Sequence, residues 1–181
     1  MQFIKKLSAS IVNFRLIILA GFLLMAGCAA QDGSGAPASD LAACIPAGQQ
    51  AVEAKVVSIS DGDTITVRLS GGGEYRLRYI GINAPEMDSE TQRGLAEQAA
   101  QLNRDLVEGQ TLQLWRDTSE TDKYERLLRY VTVDETFVNY ELVRRGLARA
   151  RDYPPDTACS LTLEQAEDLA RQENLGIWAG R

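Results

Sequence analysis

Three short stretches gather side chains that could do chemistry: Asp61-Gly62-Asp63-Thr64, RLRYIGINAPE over 76–86, and TDKYERLLRYV over 121–131. The chain has no histidine, which excludes an imidazole base, a histidine-dependent triad and histidine-ligated zinc. A carboxylate is then the natural proton acceptor, and a hard cation held by oxygen atoms is the natural metal. Arginine suits a phosphate substrate, because guanidinium is permanently charged and can donate two parallel hydrogen bonds. Attack on an already anionic phosphodiester needs such neutralisation of the charge that builds on its equatorial oxygens. Taken singly, each stretch has a plainer explanation. Asp-Gly is a preferred turn pair, charges after a strand are commonly solvated, and TDKYER reads as a charged loop.

The elements that must position these residues are legible in the hydrophobic pattern. AVEAKVVSIS, DTITVRLS and EYRLRYIGI alternate apolar and polar residues from Ala51 onward, are rich in Val, Ile, Thr and Tyr, and are broken at Asp-Gly and Gly-Gly-Gly. They predict three antiparallel strands in a meander. Arg78 is expected on one face of the third strand, with Asn83 and Glu86 at its end, where Pro85 stops the ladder. Leu95, Ala99, Leu102 and Leu106 mark one face of a helix that closes at Gly109. Residues 110–116 and 127–134 return to strand alternation. FVNYELVRRGLA and SLTLEQAEDLARQENLGIW predict two more helices, the second with Ser160 as N-cap. Five strands and three helices in this order suit a five-stranded Greek-key barrel of the OB type, an α+β fold.

The ends of the chain carry other signals. Lys5, Lys6 and Arg15 precede the apolar run LIILAGFLLMAGC, which is short for a bilayer span. Met25-Ala26-Gly27-Cys28 fits a bacterial lipobox with Met in place of the usual Leu. Residues 1–27 are therefore expected to be a lipoprotein signal peptide, 28–50 a tether lipidated at Cys28, and 51–181 the folded domain. An ordinary signal peptide or an uncleaved anchor is the alternative. An extracytoplasmic protein, anchored by lipid to an envelope membrane, would keep Cys44 and Cys159 in an oxidising setting, where they are expected to pair.

Net charge is −6 for the whole chain; removing residues 1–27 takes away three basic and no acidic residues and leaves −9. Charge distribution matters more than that sum, because a local basic surface can attract phosphate while the rest is acidic. Arg144, Arg145, Arg149 and Arg151 lie within one short segment.

Together and in this order, the motifs resemble the staphylococcal nuclease (thermonuclease-like) family. Its pattern of a DGDT turn, an R-L-x-G-I-D-x-P-E strand, a D-[KR]-Y-G-R loop and a V-N-x-x-L-V-x-x-G-L-A helix is matched by Asp61–Thr64, Arg78–Glu86, Asp122–Arg126 and Val138–Ala148. The closing Glu173–Trp178 also fits. The resemblance implies a monomeric, Ca²⁺-dependent phosphodiesterase that cuts DNA and RNA and leaves 3′-phosphate ends. In that resemblance Asp63, Asn83 and the carbonyl of Ala84 are the metal ligands. Arg78 and Arg126 grip the scissile phosphate, and Glu86 orients or deprotonates the attacking water. Lys123 holds a terminal phosphate, and Tyr124 and Tyr153 stack on bases unless they pack in the core.

Three departures stand out. Asn83 replaces the usual Asp and removes a negative charge from the metal shell, which predicts weaker Ca²⁺ binding. Ala84 replaces the usual Thr but keeps the carbonyl. Glu125 replaces the usual Gly, and there it could pair with Arg126, repel phosphate or face solvent. The rival reading is a binding module of the same fold with an impaired metal site.

Overall fold

The computed structural model describes residues 42–180 apart from 47, 89 and 91; the signal segment and Cys28 lie outside the described residues. The alternating residues of the first half form β1 (Val52–Ile59), β2 (Thr64–Leu69) and β3 (Glu74–Tyr79), an antiparallel meander with β2 in the middle. A two-residue strand, β4 (Ile82–Asn83), and a helix, α1 (Arg93–Val107), follow before β5 (Leu112–Trp115) returns to pair with β1. β6 (Leu127–Val133) runs antiparallel to β5 and parallel to β3, with Leu77 opposite Leu127. That parallel pairing closes a five-stranded barrel, the OB architecture expected. β7 (Thr136–Phe137) adds a short rung to β6.

The inward-facing residues of the strands fill the barrel: Ile65, Val67, Leu77, Tyr79, Leu112 and Leu114 are fully buried or nearly so. Two further helices, α2 (Val138–Arg144) and α3 (Ser160–Gln172), flank a two-residue strand, β8 (Arg149–Ala150), which pairs with β4.

Three details correct the sequence reading. Residues 76–86 are not one strand. β3 ends at Tyr79, Gly81 turns the chain at φ 75°, and Asn83 belongs to β4, whose partner is β8 rather than the barrel. On α1 the most buried positions are Ala96, Ala99, Ala100, Asn103 and Val107, with Leu95, Leu102 and Leu106 only partly buried. The helix sits so close to the barrel that alanines make the contact and leucines fill its flanks. Ser160 does not cap α3: the N-cap position is Cys159, and the Ser160 hydroxyl bonds the Asp152 carboxylate instead. Cys159 is fixed from outside the helix, by its disulfide to Cys44, with sulfurs 2.03 Å apart, and by its N–H to the Tyr130 hydroxyl at 3.1 Å.

Candidate active site

The turn between β1 and β2 places Asp63. Asp61 accepts the Asp63 N–H at 2.9 Å, an Asx turn of the kind the Asp-Gly pair favours. Gly62 is required by packing: a Cβ there would stand 2.6 Å from the Ala99 Cβ and 2.8 Å from that of Ala84. From α1, Asn103 donates to the Asp61 carbonyl at 3.0 Å and accepts the Tyr79 hydroxyl at 2.8 Å. The turn is therefore clamped between helix and barrel.

Asp63 is 5% exposed. One of its oxygens takes the Ala84 N–H at 2.6 Å and the Arg78 guanidinium at 2.9 Å, and the other takes the Thr64 hydroxyl at 3.1 Å. Burial pushes its carboxyl up to about 7, outweighing the opposing pull of Arg78; Asp61 beside it adds to the rise. Arg78 also donates to the Asn83 Oδ1 at 3.1 Å and to its neighbour's carbonyl at 3.2 Å. One guanidinium thus bridges the two side chains expected to ligate a metal.

Barrel closure brings in the second arginine. Arg78 stands opposite Leu128 in the β3–β6 pair, two residues after Arg126. The loop before β6 is organised by Asp122. Its Oδ1 accepts the N–H groups of Tyr124 and Arg126 at 2.8 and 3.0 Å, and its Oδ2 takes Nε and Nη2 of Arg126 at 2.7 and 2.6 Å. Partial burial pushes the Asp122 carboxyl up, but the hydrogen bonds from Arg126 and the two amides outweigh it and hold it below its ordinary value. Glu125 is exposed at φ 62° and makes no ion pair among the described residues, so of the three possibilities it faces solvent.

A cleft of about 700 Å³ is lined by Arg78, Asn83, Glu86, Lys123, Tyr124, Arg126 and Tyr153 among others. Asp63 and Ala84 lie buried behind Arg78 and Asn83. Tyr124 and Tyr153 are 64% and 48% exposed, which rules out core packing for both. Lys123 and Arg126 flank the Tyr124 ring at 4.9 and 5.4 Å from its centre.

The three groups expected from the family resemblance to hold a cation, the Asp63 carboxylate, Asn83 Oδ1 and the Ala84 carbonyl, offer oxygen only. No group of three or more acidic, histidine or cysteine side chains able to hold a metal occurs among the described residues. One carboxylate beside two neutral carbonyls suits a hard cation, with the low affinity expected of a small ligand charge.

Sequence reasoning missed the residues that hold this site from behind. Asn103 is one. Asn139 is another: from the start of α2 it accepts the Val131 N–H at 3.0 Å and donates to the Ile80 carbonyl at 2.9 Å, tying the turn after β3 to β6. The available signal was their position, since each is a polar residue within the apolar pattern of a helix. Buried Asp156 accepts the N–H groups of Thr118 and Ser119 at 2.9 and 2.7 Å and so secures the loop that leads to Asp122.

A family model described as staphylococcal nuclease homologue matches residues 76–180. The thermonuclease of Staphylococcus intermedius is 34% identical over 125 residues, which cover 68% of this chain and 74% of that protein. The thermonuclease of Staphylococcus hyicus is 32% identical over 127 residues, 69% of this chain and 75% of that one. The chain belongs to the staphylococcal nuclease family. Within that family it is also 38% identical over 123 residues to the SPbeta prophage-derived endonuclease YokF of Bacillus subtilis, covering 66% of this chain and 41% of that protein. As a staphylococcal nuclease homologue it is an enzyme of the nuclease class, and its barrel is the family's OB fold.

Proposed function

We propose that the protein is a Ca²⁺-dependent phosphodiesterase that hydrolyses DNA and RNA to 3′-phosphate ends. The observation that carries this reading is the one cleft that joins Arg78 and Glu86 of the 76–86 stretch to Arg126 of the loop before β6. Arg78 and Arg126 hold the equatorial oxygens of the scissile phosphate, each exchanging part of its bonding to a carboxylate for the substrate. Glu86, exposed at the same cleft, takes the proton of the attacking water. Lys123 adds positive charge, and the exposed rings of Tyr124 and Tyr153 offer stacking surfaces to bases whatever their identity. A bound cation, held by Asp63, Asn83 and the Ala84 carbonyl, would supply electrostatic stabilisation of the phosphate. The disulfide supports an exported protein, and the lipobox ending at Cys28 supports a lipid anchor.

The test is cleavage of single-stranded DNA by wild type and Glu86→Gln in Ca²⁺, in Mg²⁺ and in chelator. Glu86→Gln should cut about 10²–10⁴-fold more slowly with unchanged folding. Asn83→Asp should lower the Ca²⁺ concentration needed for half-maximal activity. Folded protein that fails to cut, both as wild type and as Asn83→Asp at high Ca²⁺, would overturn the reading.

A further inference from the structure

The arginines gathered at 144–151 have different surroundings. Arg144 pairs with Glu173 at 2.6 Å and Arg145 with Glu141 at 3.3 Å. Arg149 has no carboxylate within ion-pair distance among the described residues; its guanidinium lies 4.5 Å from the centre of the Trp178 ring. The same ring is contacted by Arg171 at 4.4 Å, but Arg171 is neutralised by Glu167 and Asp168.

The backbone at Arg149 is held to the active site. Arg149 stands opposite Asn83 in the β4–β8 pair. On the following residues, the Ala150 N–H goes to the Glu167 carboxylate at 2.6 Å and the Arg151 N–H to the Gly81 carbonyl at 2.9 Å. Arg149, Gln92 and Ile177, with Asn83 and Glu86, line a hollow of about 230 Å³. Asn83 and Glu86 also line the main cleft, so the two cavities meet at these residues.

We propose that this hollow is a second subsite for the nucleic-acid strand, in which Arg149 binds the phosphate next to the scissile one, on the side of Glu86 away from Tyr124 and Tyr153. The proposal rests on the nuclease reading above. A strand whose scissile phosphate lies at Arg78 and Arg126 has the tyrosines on one side, and its continuation on the other enters the hollow. There it meets a fixed, unneutralised guanidinium. Ile177 gives an apolar wall for a sugar or base, and Gln92 an amide for hydrogen bonding. Asp88 also lines the hollow and repels phosphate, which confines the favoured phosphate position to the Arg149 side.

The experiment measures binding of labelled single-stranded oligonucleotides, two and eight nucleotides long, to the full chain carrying Glu86→Gln, in Ca²⁺ and over a range of salt. Adding Arg149→Ala should weaken octanucleotide binding by about tenfold and reduce the slope of log affinity against log salt by about one. Dinucleotide binding should be unchanged, and Arg149→Lys should restore most of the loss. In the cleavage-competent chain, Arg149→Ala should raise KM for long substrates with little change in kcat. Equal affinity of both forms for the octanucleotide would overturn the subsite. Equal loss at both lengths would do so too, because it would mean that Arg149 acts only by supporting Trp178. Wild type that cuts normally while Arg149→Ala is indistinguishable from it would remove the subsite and leave the nuclease intact; wild type that neither binds nor cuts at any length would remove both.

Discussion

Glu125 sits at φ 62°, a left-handed backbone that glycine adopts freely and other residues adopt at a cost of about 1–2 kcal/mol. The departure from the family's glycine is therefore a matter of backbone strain rather than of charge at the site, because Arg126 is engaged by Asp122 and Glu125 is exposed. Glu125→Gly should raise stability by up to about 1 kcal/mol, read as a higher urea midpoint; a lower midpoint would contradict the strain. Asp63 makes the opposite kind of prediction, one in pH. Burial holds its carboxyl at about 7, above the ordinary 3.8. Between those values the folded chain keeps a proton that the unfolded chain has released. Cation-free stability from this group is thus fully present below about 3.8, falls as pH rises toward about 7, and is level above it. In chelator, the stability difference between wild type and Asp63→Asn should decline over that window. A difference that rises with pH would show that Arg78 outweighs burial.

At the scale of elements, helix α1 does more than cover the barrel. It contributes Asn103, whose two hydrogen bonds join the Asp61 carbonyl to the Tyr79 hydroxyl in a fully buried place. Asn103→Ala leaves both partners unsatisfied and should cost about 3 kcal/mol. It should also slow cleavage, since the freed turn carries Asp63. Urea unfolding and single-turnover rates check the two effects separately, and a variant as stable as wild type would show that water replaces the amide. The β4–β8 pair is the other positioning element. Two residues are too few to stand alone, and they hold because α3 takes the Ala150 N–H through Glu167 and the turn at Gly81 takes that of Arg151.

Over the whole molecule, this acidic chain holds most of its described arginines in ion pairs with carboxylates. Arg68, Arg104, Arg116, Arg129, Arg144, Arg145 and Arg171 all have carboxylate partners. Arg78 and Arg126 are paired as well, while Lys55, Arg76, Arg93, Lys123, Arg149 and Arg151 have no such partner among the described residues; of these, Lys123 and Arg149 line the clefts around Glu86. The disulfide acts at the same scale. It joins residues 115 apart in sequence, a loop long enough for about 4–5 kcal/mol in the chain-entropy treatment. Cys44→Ala should lower stability by about 2–5 kcal/mol in urea unfolding, and so should reduction of wild type. An unchanged midpoint would mean that the denatured chain is already compact there.

The order of the five barrel strands and three helices, the DGDT turn and the two arginine-bearing motifs were determined by the sequence alone. Alternation, turn pairs and helical spacing are local properties, and a local reading reaches them. Ser160 shows the limit of that reading: it has the right type and place for an N-cap, yet its hydroxyl goes to Asp152, because Tyr130 and the disulfide set the entry of α3 from a distance. The break at Gly81 and the pairing of Asn83 with Arg149 were beyond it for the same reason, since their partners lie on the far side of the chain. Only the parallel closure of β3 on β6 decides that Arg78 and Arg126 share one cleft. Only the approach of α1, close enough that Gly62 meets Ala99, buries Asp63 and gives it an acidity that no stretch of sequence contains.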